Sequence, residues 1–163
     1  MESVFERLIK MSIDDEIAIL EQVPMLKVLG RTALRLIAVG AETKQIDEGD
    51  VLFRPNERID CAYLVQEGTF NLTVDPASST KMMEAGPGVL LGEFALISDA
   101  VHPLSATAQG PCTVMRISRS MFRKILEDDA DAAVRLRDFL TRRARQSMAD
   151  MILVRNTLDP KSS

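Results

Sequence analysis

Between Thr43 and Ile117 the chain is cut by turn-forming residues at short intervals, which restricts that region to a fold of many short strands. Glu48-Gly49-Asp50, Arg54-Pro55-Asn56, Glu67-Gly68, Asp75-Pro76, Gly86-Pro87-Gly88 and Gly110-Pro111 leave no room for ordinary helices between them. Residues 69–75 alternate strictly, with Phe70, Leu72 and Val74 on one side, as a half-buried antiparallel strand requires. Residues 112–117 form a second, more apolar strand. Even spacing of this kind predicts a sandwich or barrel, a jelly roll being one solution, with residues 75–80 as its mobile hairpin tip.

Helical periods bracket this region. Val4, Phe5, Leu8 and Ile9 recur at helical spacing, and Ser12-Ile13-Asp14-Asp15 supplies a capping-box start to a second helix ending near Leu20. Pro24 interrupts, Gly30 stops the next turn, and Ala33, Leu34, Ile37 and Ala41 give a further amphipathic segment. After the strands, Ser118 or Ser120 caps a short helix through Leu126. The acidic run Glu127-Asp128-Asp129-Ala130-Asp131 then favours the N-terminus of a longer one through its dipole. In that helix Leu140, Ala144, Ser147, Met151 and Val154 are spaced four, three, four and three, the repeat of a coiled-coil seam. Leu136 and Phe139, offset from the seam, are expected to pack on the chain's own barrel.

Composition sets the class of protein. A chain of 163 residues, 46% hydrophobic and 27% charged, builds one globular domain. No apolar run approaches a membrane span and no secretory signal opens the chain, so the expected location is the cytoplasm, away from membranes. Cys61 and Cys112 sit far apart in apolar surroundings and are expected as buried free thiols. Residues 1–115 hold nine basic and 17 acidic side chains, whereas 116–155 hold ten and six, so an acidic body carries a basic C-terminal helix. A chain of net charge −4 is not a general nucleic-acid binder.

The segment with the most specific chemistry is Gly92-Glu93-Phe94-Ala95-Leu96 followed by Pro103-Leu104-Ser105-Ala106-Thr107. It resembles the phosphate cassette of cyclic-nucleotide-binding domains, the sensor fold of catabolite-activator-type bacterial regulators and of cyclic-nucleotide-dependent kinases. Gly49-Asp50-Val51-Leu52-Phe53-Arg54-Pro55-Asn56-Glu57 is similar to that family's first strand and turn. Asn56 there tolerates positive φ where a glycine is common. Tyr63-Leu64-Val65-Gln66-Glu67-Gly68, Gly86, Gly88, Phe122 and Leu126 continue the resemblance across roughly residues 20–155.

The resemblance implies that the amides of Gly92, Glu93, Phe94, Ala95 and Leu96, with an arginine, hold a cyclic phosphate and that Glu93 takes a ribose hydroxyl. An anion is favoured by free N–H groups, and an arginine adds a bidentate, charge-assisted pair. Here Leu104 stands in the arginine's place, beside Ser105 and Ala106. The sequence offers two sources of a replacement cation: His102, close in sequence, and Arg54 or Arg58 from the neighbouring turn. Ser147 falls where the family places a residue that touches the purine. A small polar residue in a seam is also a packing or register device. Arg142, Arg143 and Arg145 read as solvated flanks of the seam. With eight residues after Arg155, no DNA-reading domain is expected.

Enzymatic readings have little support. GxSxG, P-loop and HExxH patterns are absent, one histidine is too few for a clustered metal site, and Asp129-Ala130-Asp131 has Val134 where a calcium loop needs glycine. The expectation is an α+β, non-enzymatic chain without required cofactor or metal. Helices occupy 1–42, an eight-stranded jelly-roll barrel 43–117 with its cassette loop at 86–108, and helices 118–156, the last pairing in a homodimer. It is expected to be a stand-alone regulatory sensor that takes a non-standard effector or none and acts through dimer or protein-partner contacts. The alternative is a true cyclic AMP or cyclic GMP receptor with another cation in place of the arginine.

Overall fold

The computed structural model describes residues 12–75 and 83–158. The periodicity of Val4, Phe5, Leu8 and Ile9 and most of the hairpin tip at 75–80 fall outside these residues. Among the described residues three helices come first: α1 (Ile13–Leu20), α2 (Pro24–Lys27) and α3 (Arg31–Gly40). Ser12 caps α1 in a capping box with Asp15, the hydroxyl accepting from the Asp15 amide at 3.2 Å. Gly30 separates α2 from α3 at φ 89°, where a residue with a Cβ would be strained.

Ten strands follow among the described residues: β1 (Glu42–Ile46), β2 (Val51–Phe53), β3 (Arg58–Ile59), β4 (Cys61–Glu67), β5 (Phe70–Thr73), β6 (Met83–Ala85), β7 (Leu90–Leu91), β8 (Ala100–Val101), β9 (Ser105–Ala108) and β10 (Cys112–Ser118). Eight of them form two four-stranded antiparallel sheets, ordered β1-β10-β4-β7 and β2-β9-β5-β6, packed as a jelly roll. The extra pair, the two-residue ribbon β3-β8, is shorter than any hydrophobic pattern can signal. Asn56 turns between β2 and β3 at φ 66°.

Central strands β4 and β10 are covered on both faces, and their alternation separates two apolar clusters. Ala62, Leu64, Met115 and Ile117 face the helices, where they join Leu20, Leu26, Leu34, Ile37, Phe122 and Leu136. Val65 and Val114 face the barrel interior with Phe53, Phe70, Leu72 and Leu91. Both cysteines are buried free thiols. Val74 departs from its expected inward position and is 61% exposed. The ladder between β5 and β9 ends at Thr73, paired with Ser105, so Val74 lies past the strand and its parity no longer binds it.

Ser118 caps α4 (Arg119–Asp128), accepting from the Met121 amide, and the Asp129 carboxylate accepts from Ala132 at the start of α5 (Ala130–Leu158). Leu136 is in the helix-side core, with Phe139 and Leu140 packed against its edge. Arg135 fastens this helix to the N-terminal layer, donating to the carbonyl oxygens of Val28 and Leu29 at 2.9 and 2.7 Å. Beyond Leu140 the helix runs out into solvent, and Met148, Met151, Ile152, Leu153 and Val154 are all more than half exposed.

Candidate functional site

Strand β7 delivers the chain to Gly92, which turns in the left-handed region at φ 80° and opens a 3₁₀ helix over Glu93–Leu96. The first N–H groups of such a turn have no partner within it. Ala95 and Leu96 are buried and root the turn in the protein, while Phe94 points outward, 60% exposed. Arg119, the first residue of α4, holds the turn from below. Its Nε donates to the Ala95 carbonyl, Nη2 donates to the Ile59 carbonyl at 2.7 Å, and Nη1 pairs with Asp99 at 2.8 Å. Arg119 was not singled out from the sequence, because all three partners are distant in the chain.

Glu93 is not free to solvent. Its Oε1 lies 2.9 Å from Nη1 of Arg143 on α5, so the long helix is clipped to the cassette by an ion pair. Arg143 is exposed, as its reading as a solvated flank requires, and in addition pairs with the cassette. Its register carried the signal, since Leu136, Leu140 and Arg143 lie at i, i+4 and i+7 on the face turned to the body. Ser147 follows one turn later, exposed like Ala144, Met151 and Val154.

On the opposite side of the loop, Leu104 packs against the barrel-interior cluster of Phe53, Val65, Phe70 and Leu72. Ser105 is fully buried; its hydroxyl donates to the Thr73 carbonyl at 3.2 Å and meets the Thr73 hydroxyl at 2.7 Å. Ala106 is also fully buried, in register with Phe53 and Leu72. The three side chains after Pro103 are thus bound into the barrel wall.

His102 is 8% exposed and stacks on Phe53, with ring centroids 3.6 Å apart and planes 12° from parallel. A Cβ built on Gly92 would lie 2.7 Å from its Cε1 and 2.9 Å from its Nε2, so the imidazole fills the space beside that glycine. Burial pushes His102 below the ordinary histidine value, with Glu57 opposing, so the ring is neutral at pH 7. Tyr63, 6.5 Å from Phe53, keeps its proton as well: burial first, then the Cys61 thiol, pushes the phenol up to about 12.

Arg54 and Arg58 are exposed. Arg58 lines a cleft of about 360 Å³ with Ile59, Asp60, Asp99 and Arg119, and Ile59 also lies against Gly92. Among the described residues no group of three or more His, Cys, Asp or Glu side chains is placed to hold a metal ion. No helix among them is long and apolar enough to cross a membrane.

Residues 43–129, more than half of the chain, match the family model for the cyclic nucleotide-binding domain. The chain belongs to that family. This cyclic nucleotide-binding domain is 40% identical to a cyclic nucleotide-binding-like protein from Brucella abortus, over 70% of this chain and 99% of that one, at a TM-score of 0.65. The N-terminal domain of a transcriptional regulator from Streptomyces coelicolor shares the fold at a TM-score of 0.72 and 21% identity, covering 79% of this chain and 94% of that one. A cAMP-dependent protein kinase regulatory subunit from Yarrowia lipolytica is 30% identical over 61% of this chain. The domain spans only 26% of that relative's length.

Proposed function

We propose that this domain is a regulatory module whose cassette does not hold a cyclic nucleotide with ordinary affinity at neutral pH. It responds to a different effector or to none, and passes its state through α5 to a second copy or a protein partner. The observation that carries this reading is Leu104, packed into the barrel cluster where a phosphate's countercharge would be needed. Neutral His102 adds no charge, and Glu93, the group suited to a ribose hydroxyl, is held by Arg143. Removing the partner of a buried charge typically costs several kcal/mol, on the order of a thousandfold in affinity. Calorimetry on the native protein at pH 7.5 is expected to show cyclic AMP and cyclic GMP binding no tighter than about 100 μM, a weak-complex scale.

A second reading is favoured by Arg143 itself, a guanidinium 2.9 Å from Glu93 that could serve as the replacement cation of a genuine receptor. Low-micromolar binding by the native protein, abolished by Arg143→Ala, would establish it and overturn the first.

Either reading needs a route from cassette to output. Ala144, Ser147, Met151 and Val154 are exposed on α5 and continue the four-three spacing from Leu140, which supports self-pairing along this stripe. Ala144→Glu places a charge in the seam without touching the barrel. Light scattering is expected to find the native protein as a dimer and the variant mainly as a monomer; an undiminished dimer would remove the seam.

A further inference from the structure

The Nε2 atom of His102 is buried and has no hydrogen-bond partner among the described residues. Either neutral tautomer leaves it unsatisfied, as an orphan acceptor or an orphan donor, and such atoms in native interiors call for a reason. The ring is fixed by its stack on Phe53, and its Cε1–Nε2 edge lies against Gly92, next in the chain to Glu93. One residue beyond Pro103, Leu104 offers no charge.

We propose that His102 makes anion binding at the Gly92 loop proton-linked, its imidazolium form supplying the cation that Leu104 lacks. This rests on the reading that the cassette has no fixed countercharge. A protonated Nε2–H beside Gly92 needs an acceptor, and a phosphodiester seated there provides one in a charge-assisted hydrogen bond. The face of Phe53 tolerates a cation stacked on it. Thermodynamic reciprocity then requires that protonation tighten the anion and that the anion raise the affinity of His102 for its proton.

The charges around the ring are consistent with a site that stays neutral until it is filled. Glu57, in the turn after β2, favours the proton but does not overcome burial. Arg54 and Arg58, on either side of that turn, are exposed, and Glu93 on the cassette side is neutralised by Arg143. His102 is the only histidine in the sequence, so its ring signals in an NMR spectrum are unambiguous.

The test uses the native chain and cyclic AMP, whose phosphodiester keeps a single charge throughout the range, so any slope belongs to the protein. Affinity measured by calorimetry is expected to rise at least about tenfold from pH 7.5 to pH 5.5. Saturating cyclic AMP is expected to move the NMR titration midpoint of His102 upward. His102→Gln, which keeps a hydrogen-bonding side chain, should lose the slope, and Leu104→Arg added to His102→Gln should bind with no slope because its cation does not titrate. Because the native pKa of His102 is lowered, folding stability falls as pH drops through the unfolded value near 6.5, so thermal melts at both pH values confirm a folded sample. A flat profile, an unmoved His102 titration, or no binding at either pH would overturn the proposal. Tight binding already present at pH 7.5 would instead sink the reading of a cassette without a countercharge, whatever its slope.

Discussion

Leu104→Arg is expected to strengthen cyclic AMP binding at pH 7.5 by about two to three orders of magnitude over the native protein. The argument starts from what is already in place. Gly92 turns correctly at φ 80°, the 3₁₀ turn after it begins with unpartnered amides, and Arg119 holds its far end. Ser105 and Ala106 are locked into the barrel wall on either side of β9, so residue 104 leaves the wall at a defined place. A guanidinium there adds the bidentate pair that a phosphate prefers, and its aliphatic stem can cover part of the surface Leu104 covers now. The substitution gives up some apolar packing, about 1 kcal/mol for a half-buried side chain, against about 3 to 4 kcal/mol gained in the complex. Equal affinities in the two proteins would show that the Glu93–Arg143 pair, and not the missing cation, keeps the ligand out.

The features legible in the sequence are those whose causes are local. Ser12 with Asp15, Asn56 at positive φ and the Ser118 cap are each set by residues within a turn of one another, and each stands in the structure as read. A sandwich or barrel was legible because turn residues recur between strands of alternating polarity, and the resemblance narrowed it to the jelly roll. Errors begin where a partner distant in sequence decides. Val74 keeps the right parity but loses its strand, since the ladder to β9 stops one residue earlier. Arg143 is exposed as read, but its pairing went unread: its register follows Leu136 and Leu140 onto the body, where Glu93 waits 50 positions away in the chain. His102 beside Pro103 gave no sign that it would lie flat on Phe53. Nor could Arg119 be read, because main-chain oxygens have no signature in a sequence.

Those oxygens make Arg119 the residue on which the geometry of the site depends most. Its side chain is 13% exposed and spans two segments: the Ala95 carbonyl in the cassette turn and the Ile59 carbonyl at the end of β3. Truncation leaves both acceptors without their charged donor in a partly buried place, where a hydrogen bond to a charged group is worth about 1.5 to 3 kcal/mol. The third contact adds little, because Asp99 is 98% exposed and water screens the pair. Arg119→Ala is therefore expected to destabilise the fold by about 3 kcal/mol, lowering the melting temperature by about 8 °C for a domain of this size. Arg119→Lys should recover little of this, since one ammonium cannot reach in three directions as the planar fork does. The same truncation in the Leu104→Arg background is expected to lower cyclic AMP affinity about tenfold at a temperature where both proteins are folded, because the turn presenting Gly92 loses its anchor. Urea melts and calorimetry on the two pairs of proteins separate these effects: a stability loss with unchanged affinity would make Arg119 a brace for the fold alone, and a loss of neither would mean that Ala95 and Ile59 find other donors once it is gone.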